Sequence, residues 1–146
     1  MRVLFSIVLV MAFATPEWLV NFESARNAAV KENKYILLNF SGSDWCGPCI
    51  KMKKEVFENE AFLLLADEHL VLVRADFPRS KKNQLSKEQT KHNETLAEKY
   101  NPDGKFPFTV LMDSGGKILK KWDGYVFSSQ DSFISDLKDT IVSGQK

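Results

Sequence analysis

The sequence predicts an α/β domain, a central mixed β-sheet flanked by helices on both faces. Three observations carry this. Residues 34–40 (KYILLNF) and 70–75 (LVLVRA) are nearly continuous apolar runs, the pattern of strands buried on both sides, as central parallel strands are. Stretches with helical spacing of apolar residues lie before, between and after them. Two later runs, 106–112 and 117–122, flank Asp113-Ser114-Gly115-Gly116, which reads as a hairpin turn.

Taken in order, residues 18–20 read as a short opening strand. Phe22, Ala25, Ala28 and Ala29 recur at helical spacing within residues 22–32, with Glu and Lys between them. The first core strand, 34–40, includes Asn39 in its apolar run and leads into the polar turn 41–44. A helix is expected to start at Gly47 or Pro48, run through Ile50, Met52, Val56 and Phe57, and continue or restart over residues 61–66. The second core strand follows. Residues 77–94 (FPRSKKNQLSKEQTKHNE) form a polar, lysine-rich insertion. It is too long for an ordinary connection, so part of it is expected to be exposed helix leading into residues 96–100. Asn101-Pro102-Asp103-Gly104 is a turn signal. After the hairpin, residues 128–142 close the chain as an amphipathic helix with Phe133, Ile134, Leu137 and Ile141 on its apolar face. The order is β-α-β-α-β-α-β-β-α, and parallel strands joined by helices require cover on both faces of the sheet.

Residues 1–14 stand apart. Met1-Arg2 is a basic start, residues 3–14 (VLFSIVLVMAFA) are apolar except for Ser6, and Ala12-Phe13-Ala14 is an A-x-A cleavage pattern. This is the layout of a signal peptide, and the run is shorter than the roughly 20 residues that span a bilayer. The expectation is a leader over 1–14, a single domain over 15–146, no membrane insertion after cleavage and export to the periplasm, with release outside the cell the lesser alternative. Removal of Arg2 turns the 20 basic and 19 acidic side chains into a balanced set. That balance gives no reason to expect nucleic acid as a partner, and the Lys51, Lys53, Lys54 and Lys81-Lys82 groups read as solvated faces. A monomer is expected.

Cys46 and Cys49, in Trp45-Cys46-Gly47-Pro48-Cys49, are the only two cysteines. A disulfide across two intervening residues closes so small a loop that it restrains the unfolded chain little; reversible chemistry is the better reason for the pair. Thiol–disulfide exchange needs an attacking thiolate and a nearby thiol to resolve the mixed disulfide. At a helix start the first sulfur lies beside N–H groups that the helix leaves unpaired, which favours the thiolate. Pro48 suits an early helical position, where a missing N–H goes unnoticed. Cys46 is thus the candidate nucleophile and Cys49, one turn in and expected to be more buried, the candidate resolving thiol. Zinc would need two more ligands, with only His69 and His92 as nitrogen donors. Haem attachment requires a histidine where Ile50 stands. No metal or cofactor is expected.

The run Trp45-Cys46-Gly47-Pro48-Cys49-Ile50-Lys51 resembles the active-site segment of thioredoxins. Asp76, Phe106-Pro107-Phe108-Thr109 and the Gly115-Gly116 turn fall where that fold has corresponding features, from about Trp18 to Ile141. Residues 39–46 and the lengthened segment after Asp76 are similar to exported thioredoxin-like proteins of the DsbH type and to the carboxyl-terminal domain of the transmembrane reductase DsbD. The resemblance implies the thioredoxin fold, a cis Pro107 facing the cysteines, and Phe106 backbone groups offered to a substrate strand. Trp45, Gly47, Pro48, Phe106 and Pro107 become candidate substrate-binding residues; for Trp45 the competing reading is simple packing, the reading given to Trp18 and Trp122. Thioredoxins also carry a buried aspartate that assists proton transfer. Asn39 stands nearest its place, and the position of the accompanying lysine falls on Leu72.

The function expected is reduction of protein disulfides, with a DsbD-like membrane partner supplying electrons. Gly47-Pro48 matches the dipeptide of thioredoxin, a strong reductant near −270 mV. The alternatives are an oxidase or isomerase, for which the inserted or added domains of the DsbA and DsbC types are missing, and a binding or chaperone-like module with an idle site.

Overall fold

The computed structural model describes residues 15–125 and 130–144; the expected leader over 1–14 lies outside them. Among the described residues five strands and five α-helices follow the expected order, with the helix between β2 and β3 split in two: β1 (Trp18–Leu19), α1 (Phe22–Glu32), β2 (Tyr35–Ser41), α2 (Gly47–Met52), α3 (Glu60–His69), β3 (Leu70–Asp76), α4 (Lys87–Tyr100), β4 (Phe108–Met112), β5 (Ile118–Asp123) and α5 (Gln130–Gly144). The sheet order is β1-β3-β2-β4-β5. β3 runs parallel to β1 and β2, and β4 runs antiparallel to β2 and β5. The sheet is mixed, as expected.

Alternation along β2 divides the core. Ile36, Leu38 and Phe40 point to one face, where they meet Phe22, Ala25 and Ala29 of α1 and Leu96 and Tyr100 of α4. Leu37 points to the other, among Met52, Val56, Phe62, Phe133 and Leu137. Asn39 shares that second face, because it lies two residues from Leu37. All four residues expected on the apolar face of α5 are buried. Trp122 is buried, with its indole N–H donating to Asp136 at 2.7 Å.

Caps explain the helix boundaries. The Asn21 side chain accepts from Ser24 N–H, Asn59 from Ala61 N–H and Ser86 from Gln89 N–H, each satisfying a donor that the first turn leaves open. α2 passes directly into a wider π turn at Lys53–Phe57, then breaks at Asn59, so the chain both continues and restarts. Within the polar insertion, residues 87–94 are the first part of α4, as anticipated. Ahead of them, Lys81–Asn83 form one 3-10 turn.

β4 begins two residues later than expected. Phe106 and Pro107 precede the ladder, which starts with Phe108 opposite Phe40 and Asp123; proline has no N–H to give it. The loop delivering them is set by Asn101, whose side chain exchanges two hydrogen bonds with Lys105 (2.8 and 3.0 Å) around Gly104 at φ 63°.

Candidate active site

Cys46 is the N-cap of α2 and is bonded to Cys49. Its extended backbone turns the chain into the helix, Pro48 occupies the first turn, and Cys46 Sγ accepts the Cys49 N–H at 3.3 Å. The first sulfur therefore sits among donors that the helix does not use, where negative charge is favoured. Burial does not distinguish the two: Cys46 is 5% and Cys49 4% exposed. The expected difference in burial is absent, because one disulfide covers both sulfurs. What separates them is position along α2. Gly47, Pro48 and Ile50 are exposed around the pair.

Trp45 is half-buried and held by three neighbouring segments. The Gly42 carbonyl accepts from both Trp45 N–H (3.3 Å) and Cys46 N–H (2.9 Å). A side chain at Gly42 would overlap the indole ring itself, so only glycine lets the ring lie there. The indole N–H donates to the Phe77 carbonyl at 2.7 Å. Phe106 meets the ring edge-on at 5.5 Å, and Phe77 meets Phe106 at the same distance. The Arg79 guanidinium lies 3.7 Å from the ring centroid. Trp45 thus joins the cysteine loop to the Phe106 loop and to the start of the insertion.

The Phe106–Pro107 peptide bond is cis, as the resemblance implied. Pro107 is buried, and its carbonyl accepts Gly124 N–H at 2.8 Å.

Two carboxylates brace the loop from outside. Asp76 accepts from the N–H (2.9 Å) and hydroxyl of Ser43. Asp44 accepts from the backbone N–H groups of Arg79 and Ser80 (both 2.9 Å) and from Asn83 Nδ2 (3.0 Å). These bonds, the Arg79 N–H foremost, hold the Asp44 carboxyl below its ordinary range. The sequence carried no signal for Asp44, Gly42 or Arg79, whose partners are distant or sterically defined.

On the sheet face that α2 covers, Asn39 is 2% exposed and donates to Thr109 Oγ1 at 3.1 Å. Its partner across the β2–β3 ladder is Arg74; Leu72 pairs with Leu37. A cation therefore stands beside Asn39 on the neighbouring strand, at Arg74 and not at Leu72, the position matched to the family's lysine. Arg74 lies 4.1 Å over the Trp18 ring and 5.8 Å over Phe57, and its Nε is buried without an acceptor among the described residues. Burial is the main cause lowering its pKa, opposed by Asp76 and Glu58. Among the described residues no group of three or more His, Cys, Asp or Glu side chains is placed to hold a metal ion. His92 instead accepts Phe22 N–H at 3.2 Å.

A family model described as thioredoxin-like matches residues 17–114. The disulfide bond reductase DsbH of Chlamydia pneumoniae is 33% identical over 131 residues, covering 90% of this chain and 76% of that protein. A solved DsbH oxidoreductase superposes with a TM-score of 0.79 at 29% identity, covering 97% of this chain and 94% of its own. The oxidised carboxyl-terminal domain of DsbD from Neisseria meningitidis, 20% identical, covers 81% of this chain and 90% of its own at a TM-score of 0.56, a likeness of fold.

Proposed function

The chain belongs to the thioredoxin-like family, and from that premise we propose that this DsbH-like thiol:disulfide oxidoreductase works as a reductase of protein disulfides in the periplasm. The observation that carries the reading is the Cys46–Cys49 disulfide at the cap of α2, with Cys46 Sγ accepting a helix N–H. The Gly47-Pro48 dipeptide and the reductase name of the Chlamydia relative support the direction. The apolar run over residues 1–14 supports export. Among the described residues no helix is long and apolar enough to cross a membrane.

In the reduced protein the Cys46 thiolate attacks one sulfur of a substrate disulfide. A Cys46–substrate bond forms, the substrate S–S bond breaks, and the other substrate sulfur leaves as a thiolate. Cys49, once deprotonated, attacks Cys46 Sγ and expels the remaining substrate sulfur. Two electrons pass to the substrate, and the protein ends in the oxidised state described here. A DsbD-like membrane partner would return the two electrons. Trp45, Gly47, Pro48, Phe106 and Pro107 would form the surface over which the substrate chain lies, and the working form would be a monomer.

The test is insulin reduction with dithiothreitol as electron source. Wild type is expected to turn over, Cys46→Ser to lose at least about a thousandfold in rate, and Cys49→Ser to accumulate a mixed disulfide. Substantial turnover by Cys46→Ser would remove the nucleophile assignment. Equilibration with glutathione is expected to give a potential near −270 mV; a value near −120 mV, that of a strong oxidant, would reverse the direction.

A further inference from the structure

The segment after β3 is part of the rim around the cysteines. Residues 77–94 carry five basic side chains (Arg79, Lys81, Lys82, Lys87, Lys91) against two acidic ones (Glu88, Glu94). Their first part is pulled back onto the cysteine loop by Asp44, which spends both carboxylate oxygens on the Arg79 and Ser80 N–H groups and on Asn83. Main-chain anchoring at Arg79 places its guanidinium carbon over the ring of Trp45, the residue next to Cys46, 3.7 Å from the centroid.

A guanidinium stacked on a ring uses its face and leaves its N–H edges free. Those edges match a carboxylate in a two-point hydrogen bond. Arg79 is exposed, and none of the ion pairs among the described residues involves it. The two neighbouring carboxylates are engaged elsewhere: Asp44 with the insertion's main chain, Asp76 with Ser43. Lys81 and Lys82, both exposed, add charge of the same sign on this rim. A polypeptide lying over Trp45 and the exposed Gly47-Pro48 would come beside this edge, because Arg79 lies over Trp45.

We propose that Arg79 is a specificity-determining residue that binds a carboxylate on the substrate polypeptide close to the cysteine under attack, so that disulfides flanked by acidic residues are favoured. The inference rests on the redox reading above and adds the class of substrate.

The experiment uses reduced full-length protein and two fluorogenic peptide disulfides, identical except that two Asp residues flanking the cysteine become Asn in the second. The readout is the ratio of the two second-order rate constants, acidic over neutral. A single exposed charge contact predicts a ratio of about two to five at low salt, falling toward one in 0.5 M salt as screening sets in. Arg79→Gln should bring the ratio to about one, Arg79→Lys should keep part of it, and Arg79→Glu should push it below one. Each ratio is internal to its variant, so a general loss of folded protein cancels. A wild-type ratio of one with both peptides reduced overturns the role of Arg79 and leaves the redox reading standing. So does a ratio unmoved by Arg79→Gln and Arg79→Glu. Failure to reduce either peptide overturns the redox reading and this inference with it.

Discussion

The two sides of the cysteine loop treat charge in opposite ways. On the outer shoulder, Asp44 and Asp76 accept five hydrogen bonds between them, from Arg79, Ser80, Asn83 and Ser43. On the sheet face beneath α2 stand, among other polar strand residues, the amide of Asn39, the hydroxyl of Thr109 and the guanidinium of Arg74. A carboxylate is inexpensive where N–H groups and water solvate it, so on the shoulder it serves to hold two distant loops together. In a dry sheet face its charged form is penalised. There Asn39 keeps its place by a neutral hydrogen bond and accepts no proton from Cys49.

The largest expected effect comes from the buried cation. Arg74→Ala should destabilise the fold by about 2–3 kcal/mol, because the side chain packs on Trp18 and Phe57 and its removal leaves a void. Arg74→Met should cost under about 1 kcal/mol, since it keeps the volume and removes a charge lacking a full set of partners. Urea unfolding distinguishes them; equal losses would show that charge, not packing, matters there.

Asn39→Asp tests this face directly. Burial should raise the new carboxyl above its ordinary range, so the native state would bind more protons than the unfolded chain. Its stability relative to wild type should then fall as pH rises, by about 2 kcal/mol between pH 4 and pH 8. Unfolding curves at the two pH values check the sign. A rise instead of a fall would mean that Arg74 pairs with the carboxylate and that this face tolerates charge.

On the shoulder the effects are smaller and local. Asp44→Ala should release residues 79–83 and raise the rate of tryptic cleavage after Arg79, Lys81 and Lys82 about tenfold. In wild type the Asp44 carboxyl titrates below its ordinary range. Its contribution is therefore present above the unfolded value, about 3.9, and is lost as pH falls through the lower folded value. Trp45 fluorescence should stay flat from pH 7 to about pH 4 and change only below that. Asp44→Ala should lack this acid transition; a transition kept in that variant would assign it to another group.

These contrasts separate what was legible from what was not. The helix over Phe22–Glu32 could be read because apolar spacing and its caps are local, and the strands at residues 34–40 and 70–75 because runs buried on both faces need no partner to be recognised. The Cys46–Cys49 chemistry was legible for the same reason: two sulfurs three positions apart at a helix start meet whatever the rest of the chain does. The equal burial of the two sulfurs was not, since it depends on the disulfide being closed. The ladder partner of Asn39, Arg74, was not legible either. Register is set between strands by the hydrophobic pattern of both.

The sequence by itself determined the order of elements, the mixed sheet and the reactive pair, because helical and strand periodicity and the four-residue motif are short-range properties. Only the tertiary structure decided what surrounds that pair. Asp44 reaches Arg79 across 35 residues, Trp45 packs edge-on against Phe106, and Arg74 takes its place beside Asn39. Such contacts leave no periodic trace in the chain. They arise when the sheet closes and brings loops from separate strand ends to the same edge.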